Sequence, residues 1–405
     1  MYQDIAKNYK SLIISALPSK GGINKWRKRF IVEIISLFLS INGRINFLQL
    51  GRYGEFGEQR YRQQFEKKLC FMEINKHLVL EHGSGHFAIG LDPSFITKSG
   101  KSTFGCGKYW SGCAQTAKWG LEITGLAAID IDNHTAFHLE AVQTPDRVTL
   151  DNMSFNLLNW YAQIITDRAE TLMPISKYIV ADAYFSKCPF VDSVIQAGMH
   201  LVSRLRDDAN LRYLYKGEAT GKQGRPKQYD GKIYFKNIDF DYFEVIEKNE
   251  EFTLLCAEVN SVALKRNIKL VIRLDKNNKH KLFFSTDVKQ DGLIVYSIYT
   301  KRFQIEFLYR DGKQYTGLND CQARSENKLN FHFNASLTSI NIAKISHWIS
   351  IDKEDRESFS MADIKTVNHN IVMLEKFFQM FAIDADSIKN KEELKELIYF
   401  GKIAA

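Results

Sequence analysis

Tyr299, Arg302, Glu306 and Lys313 stand at offsets 0, 3, 7 and 14 within the stretch 292-GLIVYSIYTKRFQIEFLYRDGK-313, which is otherwise patterned like a half-buried helix. At roughly 100° per residue these offsets fall within an arc of about 60°, so a continuous helix stacks them in one stripe. Phe303 and Phe307 flank the stripe on one side, and Ile298, Ile305 and Tyr309 on the other. A carboxylate, a guanidinium and an ammonium between apolar shoulders are costly to desolvate unless something charged faces them. Phosphate and a divalent cation would meet that need. Gly312 falls inside the stretch and, if it ended the helix, would swing Lys313 off the stripe.

Two further acids stand where short apolar runs stop. The run 87-FAIGLDPS-94 reads as a buried strand with Asp92 at its tip, and 178-YIVADAYFSK-187 repeats the pattern with Asp182. Alone, each Asp is explained by the preference of Asp for turns. With Glu306 they become three carboxylates from two strand ends and one helix, a donor set suited to Mg²⁺ or Mn²⁺. A pair of such ions roughly 3.5–4 Å apart can activate an attacking hydroxyl and stabilise the departing oxygen of an in-line phosphoryl transfer. Tyr299, Arg302 and Lys313 are the donor types that hold phosphate beside such a centre. Glu122, Asp130, Asp132, Glu140 and Asp287 are reserve acids, several of which strand alternation turns toward solvent. His134 and His138 lie in a turn and an alternating strand and do not share a helix face.

The elements that must position these residues follow from periodicity. Residues 1–85 read as helices, with 24–41 and 57–78 separated by the glycine-bearing 42-NGRINFLQLGRYGEFG-57, a layout that fits a DNA-contacting helix-turn-helix module. Residues 86–206 read as strand, a Gly/Ser/Lys-rich loop over 97–120, a hairpin of 121–130 and 135–144, a helix over 150–170, a strand, a helix over 187–198 and a strand over 199–206. That is a mixed α/β sheet with packed helices. Residues 207–285 alternate like strands and form a β-rich insertion. Residues 286–345 return to helices, and 346–405 form an amphipathic helical tail.

The chain has 405 residues, a formal net charge of +8, 45% hydrophobic and 25% charged residues, the balance of a folded protein with a mild lean toward anionic partners. Basic residues concentrate at Lys25, Arg27, Lys28 and Arg29 and again in 221-GKQGRPKQ-228, with Lys222, Arg225 and Lys227. The six cysteines are scattered without a CxxC pair, as in reduced thiols, and argue against a zinc site. No stretch reads as a membrane span or signal peptide, so a soluble, cytoplasmic protein is expected.

The order Asp92, Asp182, Glu306, with Tyr299-x2-Arg302-x3-Glu306-x6-Lys313 around the glutamate, resembles the DDE transposases of bacterial insertion sequences, specifically the insertion-sequence-four family with its YREK signature. The resemblance covers about residues 86–345. It implies an RNase H-like catalytic core in which Asp92, Asp182 and Glu306 are catalytic and bind Mg²⁺ or Mn²⁺, and in which Tyr299, Arg302 and Lys313 contact DNA phosphate. It further implies cut-and-paste chemistry: cleavage at the terminal inverted repeats of double-stranded transposon DNA, then attack of the freed 3′-hydroxyl on target DNA. A homodimer bridging two ends and association with the bacterial nucleoid belong to the same implication. In hairpin-forming relatives an insertion aromatic stacks on a flipped base; residues 207–285 hold Tyr and Phe but no Trp. The competing readings are a metal-dependent nuclease without strand transfer and an inactive, transposase-derived DNA-binding protein.

Overall fold

The computed structural model describes residues 2–17, 23–100, 102–218, 226–384 and 391–403; Lys222 and Arg225 of the second basic cluster lie outside them. Five helices open the chain: α1 (Tyr2–Ala16), α2 (Lys25–Ser40), α3 (Phe47–Tyr53), α4 (Glu58–Phe65) and α5 (Phe71–His82). Asn24 and Asn46 begin α2 and α3 by accepting the backbone N–H groups of Arg27 and Gln49. The helix expected over 57–78 is two helices, because Phe65 and Phe71 both turn onto the ring of Phe331, at 4.4 and 5.3 Å between centroids. Arg27 is buried, donating to Gln64 and to the Lys67 carbonyl and lying against the rings of Phe30 and Phe331. These helices share one apolar core with the sheet that follows.

That sheet begins with β1 (Phe87–Thr97), β2 (Gly107–Ser111), β3 (Thr116–Asp130) and β4 (Thr135–Gln143), followed by α6 (Arg147–Asn152), α7 (Leu157–Leu172), β5 (Tyr178–Val180), α8 (Cys188–Gln196) and β6 (His200–Leu205). The 97–120 segment, expected to be loop, contains β2 and the first residues of β3. Tyr109 is the inward residue of this hairpin, its hydroxyl donating to the carbonyls of Gly105 and Thr144. The helix expected over 150–170 is split, with Asp146 capping α6 and Asn156 closing a capping box on α7.

The insertion contributes β7 (Leu211–Leu214), β8 (Tyr229–Lys232), β9 (Glu244–Lys248), β10 (Phe252–Ser261), β11 (Arg266–Asp275) and β12 (His280–Ser285). These strands continue the same sheet, since β12 pairs antiparallel with β6 from Leu282↔Leu205 to Ser285↔Val202. The order is β2-β3-β1-β5-β6-β12-β11-β10-β7-β8 in a 12-stranded sheet, with β4 on β3 and β9 on β10. Among the described residues, only β1–β5 and β5–β6 pair in parallel.

Helices α9 (Gly292–Lys301), α10 (Gln304–Gln314) and α11 (Glu326–Lys344) then return to the sheet, and α12 (Met361–Met380) and α13 (Lys391–Tyr399) form the tail. Helix α11 is buried almost throughout and answers an edge problem. The β3–β4 register slips at Leu126/Ala127, skipping Leu139, and polar side chains satisfy the backbone there. Asn341 accepts from His138 N–H and donates to its carbonyl, Asn334 does the same for Ala141, and Asn75 donates to the Leu139 carbonyl. His138 is itself enclosed here, its Nε2 3.0 Å from Asn334 Oδ1, a packing role rather than a ligand's. An antiparallel β1-β3-β4 meander followed by parallel β5 and β6, with helices packed on the sheet, is the α/β RNase H-like core expected from the sequence.

Candidate active site

Strand register sets the first two acids side by side. β1 and β5 pair in parallel with Ile89↔Ile179 and Gly90↔Val180, so Asp92 and Asp182 each lie two residues beyond the last matched pair, on the same side of the sheet. Adjacent strands are roughly 4.8 Å apart, which brings the two acids to neighbouring strand ends. Asp182 also starts a short turn, its Oδ1 accepting the Tyr184 N–H at 2.9 Å.

The third acid arrives on a helix that does not run straight through. The continuous helix expected over 292–313 breaks at Arg302 and Phe303, where the bonding tightens to Arg302 N–H to Tyr299 and Glu306 N–H to Phe303. No proline causes this. The Arg302 guanidinium reaches back to the sheet, its Nη1 3.4 Å from Asp92 Oδ1 and its Nη2 2.8 Å from Glu306 Oε1. Arg302 and Asp92 are largely enclosed, with side chains 15% and 19% exposed, whereas Glu306 at 41% opens to solvent.

This enclosure decides the charge state. Burial is the main force pushing the Asp92 carboxyl up to about 7; Arg302 opposes it, and the negative charges of Asp182 and Glu306 add to it. For Arg302 burial works against the charge, yet attraction to Asp92 and Glu306 prevails and raises its pKa. With an Asp pKa raised on folding, the unfolded chain has lost its proton above pH ~4 while the folded protein keeps it until about 7, so folding stability falls as pH rises through that window. Asp92→Asn should therefore match wild type near pH 4 and exceed it by on the order of 2–4 kcal/mol above pH 7 in metal-free buffer. Melting temperatures from pH 4 to 8 check this; a gap that stays constant with pH would sink it.

The remaining residues of the stripe line the same wall. Tyr299 is half-buried with its ring 5.0 Å from that of Phe283, and burial raises its phenol pKa while Arg302 and Arg204 pull it down. Gly312 does not end α10; a Cβ there would come 2.9 Å from Leu337 Cδ2, so glycine lets α10 approach α11. Lys313 therefore stays on the helix and donates to Ser94 Oγ at 2.9 Å, with burial lowering its pKa.

Two contributors were not identified from sequence. Ser94 follows Asp92 on the same strand face and anchors Lys313, and the period-2 pattern of 87-FAIGLDPS-94 was its only signal. Tyr309, an apolar shoulder in the sequence pattern, donates its buried hydroxyl to the Asp92 carbonyl at 2.6 Å and ties α10 to β1. The reserve acids are engaged elsewhere. Glu122 and Asp130 are buried rather than solvent-facing, accepting from Tyr161 and from Ser84 and Asn133; Glu140 pairs with Arg168, and Asp287 with Lys177 and Tyr178.

Among the described residues no group of three or more His, Cys, Asp or Glu side chains is gathered closely enough to hold a metal ion. Arg302 stands between two of the carboxylates. The donor chemistry nonetheless fits a hard divalent cation: Asp92, Asp182 and Glu306 all offer carboxylate oxygens. Among the described residues no helix is long and apolar enough to cross a membrane.

A search of curated proteins found no match to the chain. The model for the transposase DDE domain matches residues 159–342, a span holding Asp182, Glu306 and the whole Tyr299–Lys313 stripe, while Asp92 joins the site through strand pairing outside it. The match over residues 159–342, on a mixed α/β core of this topology, supports a DDE transposase.

Proposed function

We propose that the chain is a cut-and-paste transposase of the insertion-sequence-four type, which cleaves the terminal inverted repeats of a DNA element and joins the freed 3′-hydroxyl to target DNA. The observation that carries this reading is the single guanidinium of Arg302 held between Asp92 and Glu306, with Asp182 in register beside Asp92. Asp92, Asp182 and Glu306 would hold Mg²⁺ or Mn²⁺, which when bound lowers the pKa of an attacking hydroxyl and shields the phosphate oxygens. Arg302 carries a permanent charge on a planar fork, suited to a non-bridging phosphate oxygen. Lys313, positioned by Ser94, supplies a second cation further along the same wall, and Tyr299 a hydroxyl. In the first step a water oxygen bonds to phosphorus and the 3′-oxygen leaves; in the second that 3′-hydroxyl attacks a target phosphate and a target 3′-oxygen leaves.

The helical segment 1–85 would contact the ends through exposed groups such as Lys25 and Arg44, and not through the buried Arg27. The tail would contribute to a homodimer across two ends: α12 is anchored on α2 by Lys365 donating to the Phe38 carbonyl, while Met380 and Phe400 project, 80% and 77% exposed. Incubating labelled end DNA and a target plasmid with Mg²⁺ tests the reading. Joined products support a transposase, cleaved ends without joining support a nuclease, and binding without cleavage supports an inactive descendant.

Lys313→Ala should weaken DNA binding and reduce the slope of log affinity against log salt by about 0.9, the loss of one phosphate contact. Binding isotherms at several salt concentrations measure it. An unchanged slope would assign Lys313 to holding Ser94 alone.

A further inference from the structure

The β2–β3 hairpin carries an outward surface that the catalytic stripe does not use. In β1 and β3, Asp92, Ser94 and Ile96 face Gly125, Ile123 and Leu121, and the same alternation brings Trp119 to that side of the sheet. Trp119 pairs with Lys108 and Trp110 with Ala117, so Trp110, Trp119 and Lys108 share one face of the ribbon. This face continues the side of the sheet bearing Asp92, outward past the last β1 partner at Thr97↔Gly120. Both indoles are open, Trp110 at 62% and Trp119 at 47% exposure.

Exposed tryptophan is expensive to leave in water, and a buried partner would have covered it in a ribbon built only for packing. The surroundings give the sign of what covers it. From Thr97 to Gly120 the sequence holds Lys98, Lys101, Lys108 and Lys118 and no acidic residue. Lys98 is spent on the Cys321 carbonyl, but Lys108 and Lys118 are exposed. A groove of about 780 Å³ runs beside Trp119 and Lys108 and is bordered by Arg147, the exposed Val148 and Asp146, whose carboxylate is engaged in capping α6. The indole N–H of Trp119 points to the Gly100 carbonyl at 3.4 Å, fixing one edge of the ring and leaving a face free.

Open aromatic faces among lysines suit an anionic ligand that also presents flat apolar faces. Unpaired DNA has both, whereas in duplex DNA the base faces are stacked away and only phosphates and base edges are offered. We propose that Trp110 and Trp119 form a stacking platform, with Lys108 as its phosphate contact, that holds unpaired bases of the DNA strand leaving the catalytic face. This rests on the reading of the chain as a DNA transposase and adds to it a place for single-stranded DNA outside both the stripe and the insertion.

The test uses the full-length protein and fluorescence anisotropy with three probes: a labelled oligo(dT) 20-mer, an abasic strand of equal length, and a blunt duplex. Wild type should prefer oligo(dT) over the abasic strand by on the order of tenfold or more. Trp110→Ala/Trp119→Ala should erase that preference and leave duplex affinity unchanged, while Trp110→Phe/Trp119→Phe, which keeps aromatic faces, should retain most of it. A double alanine variant that still prefers oligo(dT) overturns the platform. So does one that loses only self-association in sedimentation, which would assign the surface to a second copy. Failure of wild type to bind any of the three probes, the duplex included, would instead overturn the transposase reading itself.

Discussion

Replacing any one of the three acids, by Asp92→Ala, Asp182→Asn or Glu306→Gln, is expected to slow strand cleavage by on the order of 10³-fold or more while DNA binding persists. The size follows from what each carboxylate would contribute in the proposed mechanism: a ligand to a divalent ion whose charge stabilisation amounts to several kcal/mol, where each 1.36 kcal/mol is tenfold in rate. The three substitutions should differ in stability, which separates chemistry from folding. Asp182 caps the turn at Tyr184, so Ala there would cost about 1 kcal/mol of structure, whereas Asn keeps the acceptor. Glu306→Gln keeps an acceptor for Arg302 but removes a charge that pushes Asp92 up, so the pH-dependent gain of Asp92→Asn should shrink in that background. Single-turnover cleavage of labelled ends, with melting curves on the same preparations, checks both. Full cleavage by any of the three would remove that residue from the active site.

Strand-end acids and a polar stripe in an apolar helix are local patterns, which made Asp92, Asp182 and Glu306 legible as candidates; the fold brings Asp92 and Glu306 to the Arg302 guanidinium and sets Asp182 at the neighbouring strand end. What the pattern missed is set by tertiary contact. Nothing in 299-YTKRFQIE-306 announces a helix break; the break coincides with Arg302 reaching Asp92, a partner far along the chain. The β2 strand was hidden because Trp110 faces outward and Ser111 is buried, the reverse of an apolar-in, polar-out alternation. The insertion strands were seen as strands, but nothing local said that β12 would pair with β6 and merge them into the central sheet. Arg27 looked like part of a basic face, and only its fit between Phe30 and Phe331 shows it as core.

Gly125 is the clearest case of a residue whose meaning lies elsewhere, and Gly125→Ala is expected to destabilise the protein by about 2–5 kcal/mol and disable the site together. Gly125 sits opposite Asp92 in the β1–β3 pairing, and a Cβ on it would lie 1.8 Å from the Tyr309 hydroxyl and 2.7 Å from Cζ. The ring is only 5% exposed and cannot swing into water, so the methyl must push α10 away from β1. That motion breaks the 2.6 Å bond from Tyr309 to the Asp92 carbonyl and carries Glu306 with it, since both ride on α10. Tyr309→Phe alone removes the bond but not the packing and should cost about 1–2 kcal/mol. In the double variant the worst contact is gone with the hydroxyl, so Gly125→Ala/Tyr309→Phe should be more stable than the sum of its parts predicts, by on the order of 1 kcal/mol or more. Denaturant unfolding of the four proteins in this cycle measures the coupling. Simple additivity would mean that α10 is not held to β1 through this contact, and the placement of Glu306 would then need another support.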